Sequence, residues 1–134
     1  MQYSGKYGEY RVLTRLLEMD IEAYQAIKTN QDDYDITAIL PNLRVVRIQV
    51  KTRVLNNRST NNSIDGVDRS YDYLIVVIID TNETASFYVM TKVEAMTEKG
   101  SSKQLSIKCQ QNGQFCVKNT IAAYKDRWEK ISLV

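Results

Sequence analysis

The sequence has no histidine anywhere in its 134 residues. That absence excludes Ser-His-Asp and Cys-His catalysis, the usual zinc sites, and nucleases built on a histidine base. The remaining chemistry must run on carboxylates, lysines, tyrosines, two thiols, or a metal held by oxygen ligands. Long hydrophobic runs are missing too. No window approaches the length of a membrane span, and the amino-terminal Met1-Gln2-Tyr3-Ser4-Gly5-Lys6 lacks the apolar run of a signal peptide. A cytoplasmic protein with no membrane association is expected. Charge of one sign is equally scarce. Eighteen Lys and Arg stand against 16 Asp and Glu, a net of +2, so a nucleic-acid partner has to be met by local patches.

Cysteine is limited to Cys109 and Cys116, which flank Gln110-Gln111-Asn112-Gly113, a hairpin signal. A two-residue Asn-Gly turn sets the thiols face to face. A three-residue loop, 111–113, pairs Cys109 with Phe115 and Ile107 with Val117. The second register keeps the apolar residues together and is the one expected, with the thiols on opposite faces and free in a reducing compartment.

What the chain does contain suits one domain, 1–134, long enough to bury a core without staples. Residues Ser4 to Met19 read as an amphipathic helix capped by Ser4, with Val12, Leu13, Leu16 and Leu17 at helical spacing. Glu9 lies on that apolar stripe, where a carboxylate is unusual without a partner. Ile21 to Ile27 reads as a first strand. Tyr34 to Leu40 and Arg44 to Thr52 read as a hairpin hinged at Pro41-Asn42-Leu43. In that register Tyr34, Ile36 and Ala38 lie against Val50, Ile48 and Val46 on one apolar face. The other face sets Asp35 opposite Gln49, Thr37 opposite Arg47, and Asp33 near Lys51. Thr52 to Asp65 reads as a mobile loop. Tyr73 to Ile79 is apolar on both faces, a central covered strand, and Ala85 to Met90 pairs back on it. A covered strand needs helices on both sides of the sheet. They are expected in the first helix, around Val93 to Lys99, and over Thr120 to Ile131. The last is capped by Asn119 and packs through Ala122, Tyr124 and Trp128.

Asp35 and Gln49 offer a carboxylate and an amide carbonyl, oxygen ligands of the kind magnesium takes. The Val50 carbonyl can add a third, and Glu9 a second negative charge if its helix packs over this face. Lys51 stands on the Gln49 side of the strand. There it can orient or deprotonate a water and oppose charge developing on a phosphate. The bland reading is a solvated sheet face with incidental charge pairs.

Asp35, thirteen intervening residues, then Gln49-Val50-Lys51, after a helix carrying Gly8-Glu9, resembles the PD-(D/E)xK nuclease superfamily in a QxK variant. The resemblance spans roughly residues 6–90 and lies more in arrangement than in residue identity. It implies a restriction-endonuclease-like α/β fold: a central mixed β-sheet flanked by helices, an α-β-β-β-α-β-type core, here with an additional C-terminal hairpin and helix. It also implies Glu9, Asp35, Gln49 and Lys51 as catalytic residues. The metal ligands it implies are Glu9, Asp35, Gln49 and Val50, and the metal expected is Mg2+, replaceable by Mn2+. Gln49 departs from the family's second acid, and Tyr34 stands where the family often has proline.

Between Arg44 and Arg69 six cations stand against Asp65 and Asp68, a local +4. Arg47 and Arg53 share the parity of Gln49, and Arg58 lies in the polar loop, so these three are the candidate DNA-phosphate contacts. The reading is a metal-dependent DNA endonuclease of homing, restriction or resolvase type. It would act as a homodimer or higher homo-oligomer, since cutting two strands takes two sites. The rival is a catalytically inactive nuclease-like domain that binds DNA or a protein partner. A structural α/β protein is the third possibility.

Overall fold

The computed structural model describes residues 1–27, 33–55, 63–111 and 114–132. The elements follow the chain as α1 (Ser4–Glu18), β1 (Glu22–Gln25), β2 (Ile36–Ile39), β3 (Val45–Val54), β4 (Tyr73–Ile79), β5 (Ala85–Thr91), α2 (Lys92–Lys99), β6 (Lys108–Gln111), β7 (Gln114–Val117), α3 (Asn119–Ala122) and α4 (Glu129–Ser132). Strands β1 to β5 form one sheet in chain order. Every neighbouring pair is antiparallel except β3 and β4, which run parallel, so the sheet is mixed. Among its described residues, the connection from β3 to β4 holds no helix; α2 follows β5 instead.

All seven residues of β4 are buried, as its unbroken apolar run requires of a strand covered on both faces. Its odd-numbered residues Ile75, Val77 and Ile79 join Val12 and Leu16 of α1, the hairpin residues Ile36, Ala38, Val46, Ile48 and Val50, and Trp128. Its even-numbered Leu74, Val76 and Ile78 pack with Ile64, Val67, Tyr71, Ala95 of α2, Leu105 and Ile107. Two cores on opposite sides of one sheet result, each closed by a helix.

The hairpin register is the expected one: Ile36 faces Ile48, Thr37 faces Arg47 and Ala38 faces Val46. Leu43 adopts a left-handed φ of 67° as the hinge closes, and its N–H reaches the Leu40 carbonyl. Several expectations are corrected. Ile27 is 99% exposed and outside β1. Tyr34 packs against the second core, not with Ile36 and Ala38, because the ladder stops before it. In α1 the N-cap is Tyr3 with no side-chain cap, and Leu17 is exposed, so the buried stripe runs through Gly8, Val12 and Leu16. Asp33 accepts from the Ser70 N–H rather than lying by Lys51.

The C-terminal segment differs most. Instead of one helix from Thr120 to Ile131 there are two short ones, α3 and α4. Between them Tyr124 to Asp126 runs beside β5: the Val89 N–H donates to the Tyr124 carbonyl and the Asp126 N–H to the Phe87 carbonyl. Asp126 takes a φ of 55° to turn away, and a helix cannot continue through it. Trp128 still packs in the first core, against Phe87, but Ala122 is exposed. The β6–β7 hairpin pairs Cys109 with Cys116, leaving only two residues between Gln111 and Gln114. That is the shorter register and not the expected one, so Cys109 stands across from Cys116 rather than from Phe115, and the two cysteine positions share a face.

Candidate active site

The centre of the site is the place where β2 and β3 stop pairing. The Asp35 N–H donates to the Ile48 carbonyl at 2.9 Å, the last backbone bond of that ladder on the Asp35 side. The next donor on β3, the Val50 N–H, goes to Asp35 Oδ2 at 2.8 Å instead of to a backbone carbonyl. Asp35 thus turns its carboxylate into the gap between the strands and holds them apart. The same Oδ2 accepts from Gln49 Nε2 at 3.1 Å. A residue's N–H and C=O point to the same side of a strand, so the Val50 carbonyl also faces this gap.

Gln49 is 5% exposed, and its Oε1 is buried with no hydrogen-bond partner among the described residues. A buried amide oxygen without a donor costs on the order of 1–3 kcal/mol. Glu9 reaches the same place from α1. The helix can approach because position 8 is glycine: a Cβ there would come within 1.8 Å of Thr52 Oγ1 on β3. Burial pushes the Glu9 carboxyl above its ordinary range, and the charge of Asp35 pushes it further, against the pull of Lys6, whose Nζ lies 3.7 Å from Glu9 Oε1. Burial likewise raises Asp35, although the Val50 N–H, Lys51 and Lys6 pull it back. Two carboxylates therefore sit close enough to repel, both less willing to ionise than in water.

Lys51 is close enough for its ammonium to act on Asp35, and its Nζ lies 3.3 Å from Asp65 Oδ1. Asp65 ends the polar loop, in a stretch with no periodicity to mark it, and in the sequence it stands out only as a charge. Arg47 is tied into the fold. Its N–H donates to Asp72 Oδ2 at 2.7 Å, its guanidinium donates to Ser70 Oγ at 2.8 Å, and it stacks over the Tyr34 ring. Arg53 donates to the carbonyls of Ser63 and Thr52. Arg58 lies outside the described residues.

The oxygens of Glu9, Asp35, Gln49 and Val50 are donors of the chemical kind a hard divalent ion takes. Among the described residues no group of three or more His, Cys, Asp or Glu comes together, so two carboxylates would be completed by neutral oxygens. The orphaned Gln49 Oε1 and the Val50 carbonyl are of that kind. This is an all-oxygen set suited to magnesium or manganese and unsuited to zinc.

Among the described residues, no helix is long and apolar enough to cross a membrane. No family model matches the sequence, and no curated protein sequence does either. The structure is similar to that of a bacterial homing endonuclease, I-Ssp6803I, with a TM-score of 0.66 at 16% sequence identity, over 97% of this chain and 90% of that one. The chain is therefore built on the fold of a homing endonuclease, a mixed five-stranded sheet flanked by helices, with the acid-bearing hairpin at its centre.

Proposed function

We propose that this protein is a magnesium-dependent DNA endonuclease of the PD-(D/E)xK type, with Gln49 in place of the second strand acid. The observation that supports it most is the convergence of Glu9 and Asp35, both raised in pKa, beside a buried amide oxygen that lacks a donor among the described residues. Such an arrangement is unfavourable as it stands and becomes favourable when a cation is shared. Glu9, Asp35, Gln49 Oε1 and the Val50 carbonyl would hold the ion. When bound, it supplies Lewis acidity toward a phosphodiester and a more acidic water. Lys51 opposes the charge that develops on the phosphate and orients the attacking water. Asp35 carries a second duty, keeping β2 and β3 apart so that the Val50 carbonyl stays exposed to the gap.

DNA is the substrate this reading implies, and Mn2+ is expected to replace Mg2+. The local surplus of cations on β3 and the connection after it favours a phosphate-bearing partner, although Arg47 and Arg53 must share themselves with Asp72, Ser70, Ser63 and Thr52 to reach one. One copy carries one such centre, so cutting both strands calls for two or more copies.

Supercoiled plasmid tests the proposal. Nicking or linearisation should appear with Mg2+ or Mn2+ and stop with chelator. Lys51→Ala should reduce it about a hundred- to a thousandfold, the scale of losing one electrostatic stabiliser of a transition state, with unfolding temperature unchanged. The neutral amide at Gln49 supports a second reading, a nuclease-like domain that binds DNA without cutting. Protein that binds DNA but cuts no substrate with either metal would favour it.

A further inference from the structure

We propose that Asp65 is a positioning residue for Lys51, a carboxylate that fixes the ammonium over the metal-side oxygens while the phosphate is attacked; this rests on the nuclease reading above. Lysine is a compact point charge on a flexible four-carbon stem, so a lysine meant to meet one oxygen of a phosphate has to be held. The Lys51 side chain is 24% exposed, and its Nζ lies 3.3 Å from Asp65 Oδ1. The carboxyl of Asp65 is held below its ordinary range chiefly by that ammonium.

An exposed ion pair alone contributes no more than about 1 kcal/mol and is often incidental. The Asp65 side chain is 68% exposed, but its backbone is not left to chance. On one side, Ile64 is fully buried and exchanges two backbone bonds of 2.8 Å with Leu105. The carbonyl of Ser63 accepts two bonds from the Arg53 guanidinium. On the other side, Gly66 takes a φ of 68°, accepts from the Arg69 N–H, and leads into buried Val67, whose carbonyl accepts from the Tyr71 hydroxyl. Residue 65 is thus the exposed point of a segment pinned immediately before and after it. Arg53 stands on β3 two residues beyond Lys51, so one strand carries both the lysine and the group that pins its partner. An ammonium has three donors. One spent on Asp65 leaves two for a phosphate oxygen and a water, in directions fixed by the first.

The role predicts a split that a surface pair does not. Asp65→Asn should lower kcat on the order of tenfold, the scale of a misplaced catalytic group. DNA affinity should be unchanged or slightly tighter, since a negative charge leaves the cleft. Asp65→Glu should recover part of the loss. In metal-free wild-type protein, carbon-detected NMR should show Asp65 titrating below ordinary aspartate, and Lys51→Met should return it toward the ordinary value. An unchanged or raised kcat in Asp65→Asn overturns the role and leaves the nuclease reading standing. An ordinary titration of Asp65 in the wild type shows that the pair does not form, and overturns the role whatever the cleavage result. Wild-type protein that cuts nothing with either metal removes both.

Discussion

Two carboxylate clusters in this molecule are built in opposite ways. At the start of α2, the Thr91 hydroxyl accepts from the Glu94 N–H while Glu94 Oε1 accepts from the Thr91 N–H, a reciprocal cap. Lys130 then donates to both oxygens of Glu94 at 2.7 and 2.9 Å, tying α2 to α4. Although burial pushes Glu94 up, the hydrogen bonds from Lys130 and Thr91 outweigh it and hold the carboxyl below its ordinary range. Around Asp35 the balance is reversed. Burial and the charge of Asp35 raise Glu9, burial raises Asp35, and Gln49 Oε1 and Thr52 Oγ1, both on β3, are buried without partners among the described residues. The first cluster satisfies its own charges, as a structural device must. The second does not: despite the bonds to Asp35 and the Lys6 ion pair of Glu9, both carboxyls stay raised.

The two clusters also answer acid differently. Glu94, lowered, adds stability that is present above the ordinary glutamate value and is lost as pH falls through its lowered one. Asp35 and Glu9, raised, favour the folded state most when protonated, and that contribution disappears as pH rises through their raised values. At neutral pH without metal, the site therefore costs stability while the α2 cap supplies it.

Substitutions sharpen the contrast. The largest effect is expected at Gly8, where an alanine Cβ meets Thr52 Oγ1 at 1.8 Å and α1 must shift away. Gly8→Ala should cost about 1–3 kcal/mol in denaturant unfolding, and cleavage should fall further than stability because Glu9 moves with the helix. Glu9→Gln should come next. With Gln49 already neutral, it leaves Asp35 as the only formal charge, so the Mg2+ giving half-maximal cleavage should rise about tenfold or more, near 1.4 kcal/mol. Gln49→Glu should lower it. A metal requirement indifferent to Glu9→Gln would make Glu9 a helix charge and break the comparison. The smallest effect is expected at Glu94→Gln, a loss of about 1 kcal/mol in thermal unfolding with cleavage intact.

Much of this was legible in the sequence because it is written in short-range alternation. The seven apolar residues of β4 and the facing of Ile36 with Ile48 follow from parity alone, and parity brought Asp35 to Gln49. The oddness of Glu9 on an apolar stripe was visible as well. Features set by long-range contact were not. Asp65 meets Lys51 only because Ile64 bridges to Leu105, and nothing in residues 52–65 announces that bridge. The stretch from Thr120 to Ile131 has helical spacing, yet the open edge of β5 captures Tyr124 to Asp126 and splits it. Tyr34 leaves the hairpin face because a carboxylate, not a carbonyl, takes the Val50 N–H, a choice no alternation pattern encodes.

The measurement closest to the central claim is the unfolding temperature of wild type and Asp35→Asn at neutral pH, each with and without Mg2+. Asparagine keeps an oxygen for the Val50 N–H while removing the buried charge. Without metal, Asp35→Asn should unfold at the same or a higher temperature than wild type. Mg2+ should raise the wild type by binding the folded state, at about 2.7 kcal/mol for a hundredfold excess over Kd, and leave the variant where it was. A variant that is less stable without metal, together with a wild type that Mg2+ does not move, would show that Asp35 is an ordinary structural carboxylate.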